Sequence, residues 1–144
     1  ACYYGGFNVT NNLKRKIILH RFAPTDLQTV IFIPRSRKRG NLKKLNELNS
    51  AFEKAWNLAA KSDYWNATIL NGIATSAILN SDPQIITNLV ESGALCATIS
   101  GNGPSIMAIC KKPNIRKIKN QFSTLDGNTI ISNINNKKAE VHEI

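Results

Sequence analysis

The spacing of apolar residues changes several times along the chain, and each change marks an element. Residues 7–10 and 16–20 are two short apolar runs on either side of Asn11-Asn12, a hairpin signal. Residues 27–33 (Leu-Gln-Thr-Val-Ile-Phe-Ile) are β-branched and almost wholly apolar. They predict a strand covered on both faces and ended by Pro34. Beyond Gly40 the spacing becomes helical: Leu45, Leu48, Phe52, Trp56 and Ala59 recur on one face. Ser62-Asp63 offers an N-cap for a second helix over 64–79, with Trp65, Ile69, Ile73, Ala77 and Leu79 as its apolar stripe. Ser81-Asp82-Pro83 restarts the helix, Ile85, Ile86, Leu89 and Val90 are predicted to face inward, and Ser92-Gly93 stops it. Residues 94–100 and 105–110 read as strands around Gly101-Asn102-Gly103-Pro104. Pro113 opens a helix to about residue 122, and 129–134 and 139–142 read as late strands split by Asn135-Asn136-Lys137.

From Leu27 onward the order is strand, helices, strand, strand, helix, strand. This is an α+β, ferredoxin-like βαββαβ pattern with extra helices in its first crossover. The first hairpin lies outside that unit. A lone hairpin is marginal in water, so it is predicted to need a second sheet to cover Phe7, Val9, Ile17, Ile18 and Leu19.

Composition narrows the picture. A chain of 144 residues with 42% hydrophobic content can bury the core of one domain. No apolar run approaches the ~18 residues of a membrane span, and no solenoid-length repeat occurs. Cys2, Cys96 and Cys110 cannot all pair and none stands in CxxC spacing. They point to a reducing, cytoplasmic setting without a disulfide framework or a zinc site. The net charge of +10 admits nucleic acid, anionic membrane or a phosphorylated small molecule as partner and selects none of them. Abundant Asn, Ile and Lys fit AT-rich codon usage, which would scatter lysines over a solvated surface. The opening Ala1-Cys2-Tyr3-Tyr4-Gly5-Gly6 has no charged leader and is expected to continue a longer chain.

The sharpest local signal is Ser100-Gly101-Asn102-Gly103-Pro104-Ser105 between two apolar strands. Glycines there permit positive φ and close backbone approach, and successive N–H groups can form an anion nest. A plain hairpin turn explains the same spacing. Arg35, Arg37 and Arg39 lie in a basic loop that could grip phosphate, carboxylate or RNA, or simply be solvated. No aromatic residue is interleaved with it, which disfavours nucleic acid. His20 and His142 are far apart and read as surface residues, and Ser100 and Ser105 have no base nearby in sequence.

The glycine loop within Gly93-Ala94…Cys110 resembles the third motif of the GHMP small-molecule kinases, a superfamily that includes galactokinase, homoserine kinase and mevalonate kinase. A more specific resemblance, to the archaeal-type shikimate kinases, rests on separated pieces in order. They are Ala1-Cys2-Tyr3-Tyr4-Gly5-Gly6 with Val9-Thr10-Asn11-Asn12, Ile33-Pro34, Asp63-Tyr64-Trp65-Asn66-Ala67 with Leu70-Asn71-Gly72, Glu91-Ser92-Gly93-Ala94, the glycine loop, and Ile134-Asn135-Asn136-Lys137-Lys138-Ala139. The Asp-Tyr-Trp…Asn-Gly element separates this resemblance from homoserine kinase. Asn102 and Ser105 depart mildly from the family's usual Thr and Ala. The family's phosphate-cradling loop and its acidic catalytic residue have no counterpart and are expected upstream of Ala1.

The resemblance thus implies a C-terminal GHMP domain over 25–144, with 1–24 as the end of the N-terminal domain. It implies ATP and Mg2+ as cofactors, shikimate as substrate, and the 3-hydroxyl as the group phosphorylated in aromatic amino-acid biosynthesis. No catalytic residue and no metal ligand is expected within this chain. Residues 100–105 would support the nucleotide's phosphate loop, and Arg35, Arg37 and Arg39 would meet substrate or phosphate charge. The missing N-terminal half is the implied partner, and activity is expected to be absent without it. Another GHMP kinase, such as homoserine kinase, or a basic RNA- or protein-binding module on the same fold are the alternatives.

Overall fold

A computed structural model describes residues 4–11, 14–36, 42–79, 81–101 and 103–140; the side chains of residues 42, 43 and 45 are outside the description. Strands β1 (Phe7–Asn11) and β2 (Lys16–Arg21) form an antiparallel hairpin. Strand β3 (Leu27–Pro34) leads through a 3₁₀ segment (Leu42–Leu48) into helices α1 (Asn49–Ala60), α2 (Tyr64–Ile78) and α3 (Gln84–Glu91). Strands β4 (Ala94–Ile99) and β5 (Ile106–Lys111), helix α4 (Ile115–Asn120) and strand β6 (Gly127–Asn133) follow. The second sheet has the order β4-β5-β3-β6 with every neighbour antiparallel, the ferredoxin-like arrangement that the element order predicts.

The helical face of this sheet buries Val30, Phe32, Ala108 and Cys110 against Ile86, Leu89, Ile118 and Phe122. Phe32 and Phe122 stack with ring centroids 4.9 Å apart. The opposite face buries Leu27, Cys96 and Ile109 beneath Trp65, Ile69 and Ile134. The two-sided cover expected of β3 is met in part: on its second face Leu27 is buried, while Thr29, Ile31 and Ile33 are half-buried.

Helix α2 contributes Ile73 to one core and Trp65 to the other, because it lies along the outer edge of β4. A β-carbon at Gly72 would sit 2.7 Å from the Ala97 carbonyl oxygen, so only glycine lets helix and edge approach this closely. Asp63 caps the helix, its carboxylate accepting from the Asn66 backbone N–H. Packed on α1 as well as β4, α2 buries Ala67, Ala74, Thr75 and Ser76 rather than a single stripe. Ala77, expected inside, is exposed. On α1 the buried position is Ala55, and Trp56 is 45% exposed.

The hairpin is covered more than expected. Val9 is buried, and Phe7 stacks on Tyr64 with centroids 4.5 Å apart and meets the edge of Trp65. Ile18 and Phe22 remain exposed. Residues 134–140 do not form the expected late strand. Their polar groups go to the hairpin instead. Asn135 accepts the Gly6 N–H at 2.8 Å, and the Asn136 side chain both accepts from and donates to the Ala23 backbone, each at 2.8 Å. Residues 141 and 142 of that expectation, with Cys2, Asn12 and His142, lie outside the described residues.

Candidate functional site

Strand register gathers three connections at one end of the sheet. Phe32 pairs with Ile106 and Pro34 with Gly127, so the exit of β3, the β4–β5 loop and the entry to β6 are neighbours. Ser81 and Asp82, before α3, line a cleft of about 400 Å³ there with Ser36, Pro104 and Asp126.

The glycine loop closes on itself. The Ser100 N–H donates to the Ser105 carbonyl at 2.7 Å, and the Gly103 N–H donates to the Ser100 carbonyl at 3.1 Å. Two of its N–H groups are thus spent internally, which makes it a poor anion nest. Gly101 (φ 59°) and Gly103 (φ 70°) are both left-handed. Space separates their roles. A β-carbon at Gly103 would lie 3.2 Å from Ile99 Cγ2, whereas one at Gly101 would meet nothing within 4 Å. Gly101 therefore presents bare, exposed backbone outward. Ser100 is exposed, and Pro104 and Ser105 are half-buried. Asn102 lies outside the described residues.

Of the basic loop, Arg35 is described and Arg37 and Arg39 are not. Arg35 Nε lies 3.5 Å from Asp126 Oδ1, and its backbone N–H donates to the Asp126 carbonyl. Both side chains are largely exposed, so the pair contributes no more than about 1 kcal/mol and can exchange for another anion.

A second cleft of about 420 Å³ runs between the hairpin, α1, α2 and the strands that flank the glycine loop. Its apolar walls include Phe7, Phe52, Trp56 and Ile99. Its polar groups come from Asn8, Tyr64, Thr68, Asn71 and Thr98, and none is a carboxylate or a cation. In the sequence alone none of these side chains stands out as a binding group. Their signal was the i, i+4, i+7 recurrence of Tyr64, Thr68 and Asn71 on one side of an otherwise apolar helix. It explains why Trp56 is exposed: it faces this cleft.

The thiols take no part. Cys96 and Cys110 are buried on opposite faces of the sheet. Burial pushes Cys96 up to about 12, partly offset by hydrogen bonds from the Ile109 backbone and Thr68, and burial raises Cys110 as well. Neither is a thiolate at neutral pH. Among the described residues no cluster of His, Cys, Asp or Glu could hold a metal ion, and no helix is long and apolar enough to cross a membrane.

No family model matches the chain. Relatives do. A shikimate kinase of Methanothermobacter thermautotrophicus is 31% identical over 147 residues, covering 99% of this chain and 50% of that protein. One from Methanobrevibacter smithii is 32% identical over 94% of the chain and 48% of its own length. Over nearly its whole length the chain is similar to archaeal shikimate kinases. It spans about half the length of the curated relatives it matches.

Solved structures share this fold. A homoserine kinase from Cytophaga hutchinsonii superposes with TM-score 0.63 at 21% identity, over 94% of this chain and 50% of that one. A phosphotransferase related to the CoA biosynthesis pathway superposes with TM-score 0.67 at 14% identity, over 94% and 48%. Tyr64, Ala67 and Asn71, which belong to the pieces that carry the sequence resemblance, line the neutral cleft.

Proposed function

We propose that this chain supplies the acceptor-binding wall and the loop buttress of an ATP-dependent kinase that phosphorylates the 3-hydroxyl of shikimate. The observation that carries the reading is the coincidence of cleft and motif: Tyr64 and Asn71, from the pieces that carry the resemblance, line one neutral pocket together with Thr68. Such a pocket suits the hydroxylated ring of the substrate. Its carboxylate needs a cation, for which Arg35, Arg37 and Arg39 are the proposed source.

Phosphoryl transfer depends chiefly on positioning and on charge stabilisation around the phosphates. In this reading the bare backbone of Gly101 seats the phosphate-binding loop of the N-terminal half. Magnesium would arrive with the ATP phosphates. The N-terminal half would also cover Ile18 and Phe22 of the hairpin. Two buried free thiols suit a reducing cytoplasm.

The test is a coupled assay on the complete kinase, with shikimate and homoserine as competing acceptors. Turnover of shikimate alone is expected. Asn71→Ala should raise KM for shikimate about tenfold or more and leave KM for ATP within about twofold, the loss of one hydrogen bond in a substrate pocket. Preferential phosphorylation of homoserine would replace this reading with the other kinase. A salt-dependent shift with RNA in the absence of turnover would favour a binding module.

A further inference from the structure

We propose that the outer edge of β6, with the basic α4 segment beside it, docks an acidic extended segment of another protein as a fifth strand of the sheet. Of the sheet's two edges, α2 closes the one at β4, and β6 is the other. Among the described residues nothing pairs with the outer side of β6. Exposed edges are ordinarily blunted by lysine, proline or a bulge. The seven residues of β6 (Gly-Asn-Thr-Ile-Ile-Ser-Asn) carry no charge and no proline. Their register with β3 runs unbroken from Gln28↔Asn133 to Pro34↔Gly127. Ile130 and Ile131 are 48% and 43% exposed. A strand is what such an edge accepts, because only a strand satisfies its row of N–H and C=O groups.

Charge selects which strand. Lys111, Lys112, Arg116, Lys117 and Lys119 are all exposed, and no acidic residue occurs between Glu91 and Asp126. Lys112, Arg116 and Lys119 line a cleft of about 440 Å³ with Ile115 and Ile131. Ile131 pairs with Val30, whose side chain lies in the helical core, so Ile131 is on the α4 side of the sheet and Ile130 on the other. A strand added to β6 would therefore place alternate side chains beside the α4 cations and the rest beside Ile130. The fitting partner alternates acidic and apolar residues. No aromatic side chain lines the cleft for bases to stack on, which disfavours single-stranded nucleic acid. A second copy would bring the same charge of +10 and a β6 without acids.

The test titrates a fluorescein-labelled decapeptide of alternating glutamate and valine into the full chain, followed by anisotropy. Saturable binding is expected. N-methylation of alternate backbone amides should weaken it at least tenfold for one set of positions and leave it within twofold for the other, because only one set faces β6. The double variant Arg116→Glu, Lys119→Glu, with unchanged melting temperature, should bind at least tenfold more weakly. Equal effects of the two N-methylated sets would overturn strand addition. So would a uridine decanucleotide that binds as tightly as the peptide, or a dimer by sedimentation that the peptide does not dissociate.

Discussion

Gly72 shows a local preference yielding to a tertiary one. In a helix interior alanine is favoured over glycine by about 1 kcal/mol. Here the added methyl would press to 2.7 Å on the Ala97 carbonyl and 2.8 Å on Thr98 Cα, both backbone. Overpacking of that kind costs about 1–3 kcal/mol, so Gly72→Ala should lower stability, and a denaturant midpoint that rises would refute the contact. Cys96 gives a second expectation. Its thiol is pushed up to about 12 in the fold, above the ~8.5 of an unfolded chain. The unfolded state therefore binds fewer protons between those values, and stability is lost as pH rises from about 8.5 towards 12. Melting temperatures from pH 8 to 10 should fall more steeply in the parent than in Cys96→Ala. Parallel slopes would exclude Cys96 as a cause.

Asn136 decides how the elements are joined. It is the only described side chain bonded to Ala23, a buried residue whose N–H and C=O it satisfies together. Leaving a buried polar group unpaired costs about 1–3 kcal/mol. Asn136→Ala should therefore speed hydrogen exchange in β1 and β2 while sparing β3 and β5; uniform acceleration would show one cooperative unit instead. The order βαββαβ could be read from the sequence because its strands are continuous apolar runs and its turns carry Gly, Pro and Asn. The burial of α2 could not. A helix wedged between another helix and a sheet edge has no single stripe, so Ala77 was misplaced and Ser76 missed. The end of the chain misled for another reason. Asn135 and Asn136 look like a turn between strands, but the Asn135 carbonyl and the Asn136 side-chain amide are committed to Gly6 and Ala23, more than a hundred residues away. The glycine loop was plain from its spacing. The neutral cleft was not, since its polar groups come from the hairpin, α2 and β4 and meet only in three dimensions.

At the scale of the whole molecule the chain is about half of the proteins it matches, and its exposed hairpin surface fits that proportion. The exposed rings of Tyr4 and Phe22 flank the half-buried His20, which lies 6.4 Å from Tyr4 and 5.9 Å from Phe22 by centroid. With ATP and shikimate the 144-residue chain should show no turnover above background, and the N-terminal half supplied in trans should restore it. Robust turnover by the chain alone would remove the need for a partner. The Asn136 clamp also sets an order of events during synthesis. A ribosome delivers the hairpin more than a hundred residues before Asn136, so β1 and β2 emerge long before the amide that clamps Ala23 exists. Even once α2 has emerged to meet Phe7, the nascent hairpin must wait unclamped, a client for chaperones, while the sheet behind it is completed.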